Sequence, residues 1–64
     1  MTYDIKSDSD IETPEEMQQF IDGVVALSLQ YNLSIAHEDF EGGFLIQPYK
    51  EKNINWLKGA SKDY

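Results

Sequence analysis

The chain has no cysteine and only one histidine. Disulfide staples and thiolate metal ligands are therefore excluded, and a structural zinc site is not expected. The lack of cysteine suits a reducing compartment. No apolar run approaches the roughly 20 residues that span a bilayer. Met1-Thr2-Tyr3-Asp4 lacks the basic and then apolar pattern of a secretion signal, so a cytoplasmic protein is the expectation. A phosphate-binding loop is missing too: Gly42-Gly43 is followed by Phe44, where that motif needs Lys and then Ser or Thr. At 64 residues the chain is expected to form one domain, 1–64. A chain this short buries about 60% of its unfolded surface. Small scaffolds without staples gain stability by self-association, so a homo-oligomer is expected.

What the chain does have is negative charge, unevenly placed. Residues 1–41 hold ten acids and one lysine, and residues 42–64 hold two acids and four lysines, which divides the net −7 into −9 and +2. A negative field repels phosphate, so direct nucleic-acid binding is disfavoured. It suits a basic partner surface, or simply solubility.

The one long periodic segment runs from Thr13 to Asn32. Met17, Phe20, Ile21, Val24, Leu27 and Tyr31 follow the spacing of one helix face. Thr13 is placed to cap, Pro14 to take the first helical position, and Glu16 to complete a capping box. Glu15 and Glu16 meet the positive end of the helix dipole. Val25 and Leu29 widen the apolar surface beyond one stripe. Gly23 implies either close approach of another backbone or a helix–helix contact in a dimer. Asn32 is a suitable terminator, since Asn tolerates the left-handed conformation.

Two strand-like runs follow, Leu33 to Asp39 and Phe44 to Tyr49, with Gly42-Gly43 between them as a hairpin signal. A two-residue turn at Glu41-Gly42 or Gly42-Gly43 puts Leu33, Ile35, Phe44 and Ile46 on one face, which is expected to cover the helix. Pro48 suits an edge or exit position. Asn53 is placed to cap a short helix holding Ile54, Trp56, Leu57 and Ala60, with Gly59 near its end. Tyr3 and Ile5 alternate with polar residues. Residues 1–12 thus form either a short edge strand, pairing with the later hairpin, or a mobile acidic arm. Ser7-Asp8-Ser9-Asp10 reads as a loop, and 61–64 as a frayed tail. The expected fold is α+β: one long amphipathic helix on a β-hairpin, then a short C-terminal helix.

His37-Glu38-Asp39 is the one cluster with reactive groups, but neighbouring strand residues point to opposite faces and no second histidine or nucleophile stands nearby. Asp8, Asp10 and Glu12 alternate like calcium ligands. The loop glycine and twelfth-position Glu are missing, because Thr13 and Gln19 stand there. Lys50, Lys52, Lys58 and Lys62 lie near Tyr49 and Trp56, a faint echo of single-strand nucleic-acid binding. No catalytic, metal or cofactor residues are assigned, and no enzyme is expected.

Eight aromatic side chains exceed what one helix–hairpin core hides; either the two helices sandwich the hairpin and bury them all, the favoured reading, or some face a partner. Tyr and Trp carry binding energy at interfaces, and Phe40, Leu45, Tyr49 and Trp56 are the candidate partner-facing patch. Asp4, Asp8, Asp10, Glu12, Glu15 and Glu16 would meet a basic surface. The segments Leu33–Asp39, Gly42–Ile46 and Asn55-Trp56-Leu57 resemble short acidic proteins encoded in phage and prophage genomes of Gram-positive bacteria. The resemblance implies a cytoplasmic phage accessory protein without enzymatic activity, which binds and modulates or inhibits a host or phage protein. Some such proteins block host defence by imitating DNA charge. The alternative expectation is a structural accessory protein acting as a homo-oligomer.

Overall fold

The computed structural model describes residues 1–38 and 40–64. Strands β1 (Thr2–Asp4) and β2 (Ser9–Ile11) lead into helix α1 (Glu15–Tyr31). Strands β3 (Leu33–His37) and β4 (Phe44–Pro48) and helix α2 (Glu51–Lys58) complete the α+β fold. The strands form two separate antiparallel pairs, β1–β2 and β3–β4. Among the described residues, no helix is long and apolar enough to cross a membrane.

The N-terminal segment is neither a mobile arm nor a strand added to the later hairpin. It is a hairpin of its own, with Thr2 opposite Ile11 and Asp4 opposite Ser9. Asp8, at φ 52°, sits in the turn that joins the two strands. The Asp4 carboxylate organises that turn by accepting from the Ser7 hydroxyl at 2.8 Å and the Lys6 amide at 3.3 Å. Residues 61–64 do not fray either. Lys62 donates its amide to the Tyr3 carbonyl at 2.8 Å and accepts from the Ile5 amide at 3.0 Å, a parallel bridge on the open edge of β1. The Lys62 ammonium lies 3.9 Å from Asp4 and 4.2 Å from the centre of the Tyr64 ring. The Tyr64 hydroxyl donates to Glu16 at 2.9 Å. Edge pairing of this kind depends on where two distant segments meet, so local composition did not reveal it.

These contacts set a pH dependence. The Ser7 hydroxyl bond is the main cause that holds Asp4 below the usual carboxylate range. A backbone amide bond and then Tyr64 do the same for Glu16. A depressed folded-state pKa contributes stability that is complete above the unfolded value, roughly 4, and is lost as pH falls through the folded value. Thermal midpoints should therefore hold steady above about pH 5 and fall below about pH 4. Asp4→Asn should flatten that acid limb; an unchanged limb would rule out this contribution.

Helix α1 begins one residue later than the capping motif implied. Pro14 is the N-cap, at φ −58° and ψ 146°, and no side chain caps the helix. The Thr13 hydroxyl is instead 2.5 Å from the Thr2 hydroxyl, tying the N-terminal hairpin to the helix entry. Glu16 is turned to Tyr64. At the other end Asn32 adopts φ 54°, ψ 39°, and its amide bonds the Ser28 carbonyl. The chain therefore reverses straight into β3, as a left-handed C-terminal residue allows.

In the second hairpin Ile35 faces Ile46 and His37 faces Phe44. Leu33, Ile35, Phe44 and Ile46 do share a face. The turn is longer than two residues: the Glu38 amide bonds the Gly43 carbonyl at 3.0 Å, which leaves 39–42 between them, with Gly42 at φ 74°. The shift from the expected pairing is even, so the faces are kept. Glu38 shapes this turn by accepting the Phe40 and Glu41 amides, each at 2.7 Å.

The buried face of this hairpin is the other one. Ser34 and Ala36 are buried under α2, and the apolar interior comprises Ile21 of α1, Ala36 of β3 and Ile54 of α2. Small side chains at 34 and 36 let the second helix approach closely. Asn53 does not cap α2, whose N-cap is Lys50. It is buried within the helix and donates from its amide to the Ser34 hydroxyl at 2.9 Å and to Gln47 at 3.0 Å. Ser34 in turn donates to the Pro48 carbonyl at 2.9 Å. A polar seam thus fixes α2 across both strands of the hairpin.

Candidate interaction surface

The apolar stripe of α1 divides. Ile21 is buried, Met17, Val24 and Val25 are half-buried, and Phe20, Leu27 and Tyr31 stand 72%, 56% and 64% exposed. The face expected to cover the helix, Leu33, Ile35, Phe44 and Ile46, closes over it only in part, and Leu33, Phe44 and Ile46 are exposed. The reason is positional. Helix α2 fills the Ser34–Ala36 side, and α1, joined to β3 by the single residue Asn32, sits beside β3 and does not lie flat across both strands.

An open groove of about 300 Å³ results. Val24, Leu27 and Tyr31 form one wall, and Leu33, Ile35 and Ile46 the other. No charged side chain lines it. A smaller cleft at the start of the helix is lined by Glu16, Met17, Phe20 and Tyr64. Apolar side chains therefore run from Phe20, beside Glu16 and Tyr64, along α1 to Ile46. Sequence reasoning missed this surface, because a helix stripe and a matching strand face normally imply mutual burial. Its signals were the excess of apolar residues, Val25 and Leu29 included, and the mid-helix Gly23.

The acidic residues are gathered elsewhere. Asp8, Asp10, Glu12, Glu15 and Glu16 are all exposed, on the β1–β2 hairpin and the first turn of α1. Asp8 accepts from the Tyr3 hydroxyl. Among the described residues, no lysine comes within ion-pair distance of these five; the lysine–carboxylate pair present is Lys62 with Asp4.

Of the four aromatic and apolar candidates, Leu45 and Trp56 both lie beside Ala36 on the α2 side of the hairpin. Phe40 is 96% exposed in the hairpin turn. Leu45 pairs with Ala36 on the α2 side of the sheet. Tyr49 is half-buried, its hydroxyl 3.3 Å from Glu51. Trp56 lines a polar cleft with Ala36, His37, Gln47, Lys52 and Asn53, and its ring centre is 5.9 Å from that of His37. Asp39, the last member of the His37-Glu38-Asp39 cluster, lies outside the described residues. Glu38, the third member of that cluster, is occupied by the turn amides, which hold its carboxyl below the usual range. Among the described residues, no three His, Asp or Glu side chains converge as a metal site would require.

No family model matches this chain, and no curated protein or solved structure is significantly similar to it.

Proposed function

We propose that this chain is a small acidic protein-interaction module, without catalysis of its own, that binds and modulates a protein presenting a basic surface. The supporting observation is the run of five exposed carboxylates, Asp8, Asp10, Glu12, Glu15 and Glu16, at one end of the molecule with no lysine paired to them among the described residues. Unpaired exposed charge of one sign speeds encounter with a complementary surface and selects against wrong partners. The resemblance to phage and prophage accessory proteins fits the same reading, including inhibition by DNA-like charge.

A fluorescent oligolysine peptide tests it. Affinity should fall roughly tenfold between about 50 and 200 mM salt, as a charge-driven contact requires. Neutralising the end with D8N, D10N, E12Q and E15Q should weaken binding more than neutralising the dispersed acids Asp22, Glu51 and Asp63. Equal losses from both sets would reject the acidic end as the binding surface.

A further inference from the structure

We propose that the apolar side of α1 is the interface of a two-fold symmetric homodimer, in which two copies of the helix pack antiparallel about Gly23 and Val24. The inference goes beyond the acidic-end reading and uses a different surface, which meets the acidic end at Glu16 alone. Four observations carry it.

The first is area. Phe20 and Tyr31 expose most of their surface, and aromatic side chains of this kind bury roughly 150–250 Å² each. With Leu27, Leu33 and Ile46, the face offers roughly 600 Å² per copy, or about 1,200 Å² for a pair, the lower bound for a stable specific interface. The second is need. Among the described residues the buried apolar side chains are Ile21, Ala36 and Ile54, a small interior for a chain with no disulfide. Self-association is the remaining common source of stability.

The third is charge. Two copies of an acidic chain repel unless their contact faces are neutral. The groove lining has no charged side chain, and Asp22 is exposed and lies about 140° around the helix from Leu27. A basic partner would be drawn to the acidic end, whereas this face suits a neutral, self-complementary contact. The fourth is register. Helix α1 spans Glu15–Tyr31, so Gly23 lies at its midpoint. Antiparallel packing there sets Phe20 of each copy beside Leu27 of the other. It also sets Tyr31 beside Glu16, whose carboxylate accepts from Tyr64 of its own chain through one oxygen. A two-fold interface demands that kind of reciprocity. A Cβ added at Gly23 would meet nothing within 4 Å. No backbone of the same chain approaches this glycine, and the space is open to a second helix.

The absence of cysteine makes the test direct. Wild-type protein should sediment at about twice the 7.4 kDa of one chain at micromolar concentration, equally at low and high salt. Under mild oxidation G23C should form disulfide-linked dimers at least tenfold faster than D22C, whose position faces away. L27E should yield a monomer; should that variant unfold, the cysteine pair still decides. A monomeric wild type at about 100 µM, or equal cross-linking of G23C and D22C, would overturn the proposal. Neutralising Asp10 and Glu12 should leave the dimer intact while weakening the oligolysine contact, so the two readings fail separately.

Discussion

Ile54→Ala is expected to cost about 3 kcal/mol and to unfold much of the protein at physiological temperature. Ile54 is 2% exposed and, with Ile21 and Ala36, makes up the buried apolar interior among the described residues. Truncation removes three carbons from that interior and leaves a cavity that few neighbours can fill. A typical stability per residue gives a chain of this length only about 3–10 kcal/mol in total, so the loss is a large fraction. In a domain of this size each kcal/mol moves the thermal midpoint by about 4–8 °C, so a fall of 12–24 °C is expected, by roughly that conversion. Circular dichroism melts provide the measurement. Leu29→Ala is the control, since Leu29 is exposed and should change stability by less than about 0.5 kcal/mol. Equal losses at the two positions would mean that the interior is not where the structure places it.

The second large effect is expected at Asn53. Its side-chain amide donates to Ser34, which is itself buried, and to Gln47. Asn53→Ala strips both acceptors of their donor in a region water reaches poorly, and a loss of about 2–3 kcal/mol should follow. The penalty arises from leaving a partner unpaired, so removing the partner should relieve it. Ser34→Ala combined with Asn53→Ala should cost less than the sum of the two single losses, with a coupling energy of at least about 1 kcal/mol in a double-mutant cycle. Chemical denaturation of the four proteins measures this directly. Strict additivity would show that the Ser34–Asn53 contact does not hold α2 in place.

Both residues illustrate how the sequence was read. Ile54 is an apolar residue in a short amphipathic segment, so its burial was legible. Asn53 was not, because a polar residue near a helix start reads as a cap, and only the height of α2 over β3 turns it inward. Phe20, Leu27 and Tyr31 have the spacing of a buried stripe, yet they remain exposed because α1 sits beside β3 and does not lie flat across the Leu33–Ile46 face of the hairpin. Phe40 sits in the hairpin turn and Tyr49 beside Glu51, whereas Leu45 and Trp56 both adjoin Ala36 on the α2 side. The acidic cluster was legible except for Asp4, which is buried and lies beside Lys62; the other five stay together because charge that is local in sequence stays local on a hairpin and the helix it enters.

The amino-acid order alone determined the long helix, its stop at Asn32, the pairing faces of the second hairpin and the acidic front of the chain. Those features rest on interactions between near neighbours: turn conformations, side-chain periodicity and short-range charge. The tertiary structure decided which hairpin face is buried, that residues 61–64 join the edge of β1, and that an apolar groove stays open beside α1. Those outcomes depend on which distant segments occupy the same space, and periodicity carries no information about that.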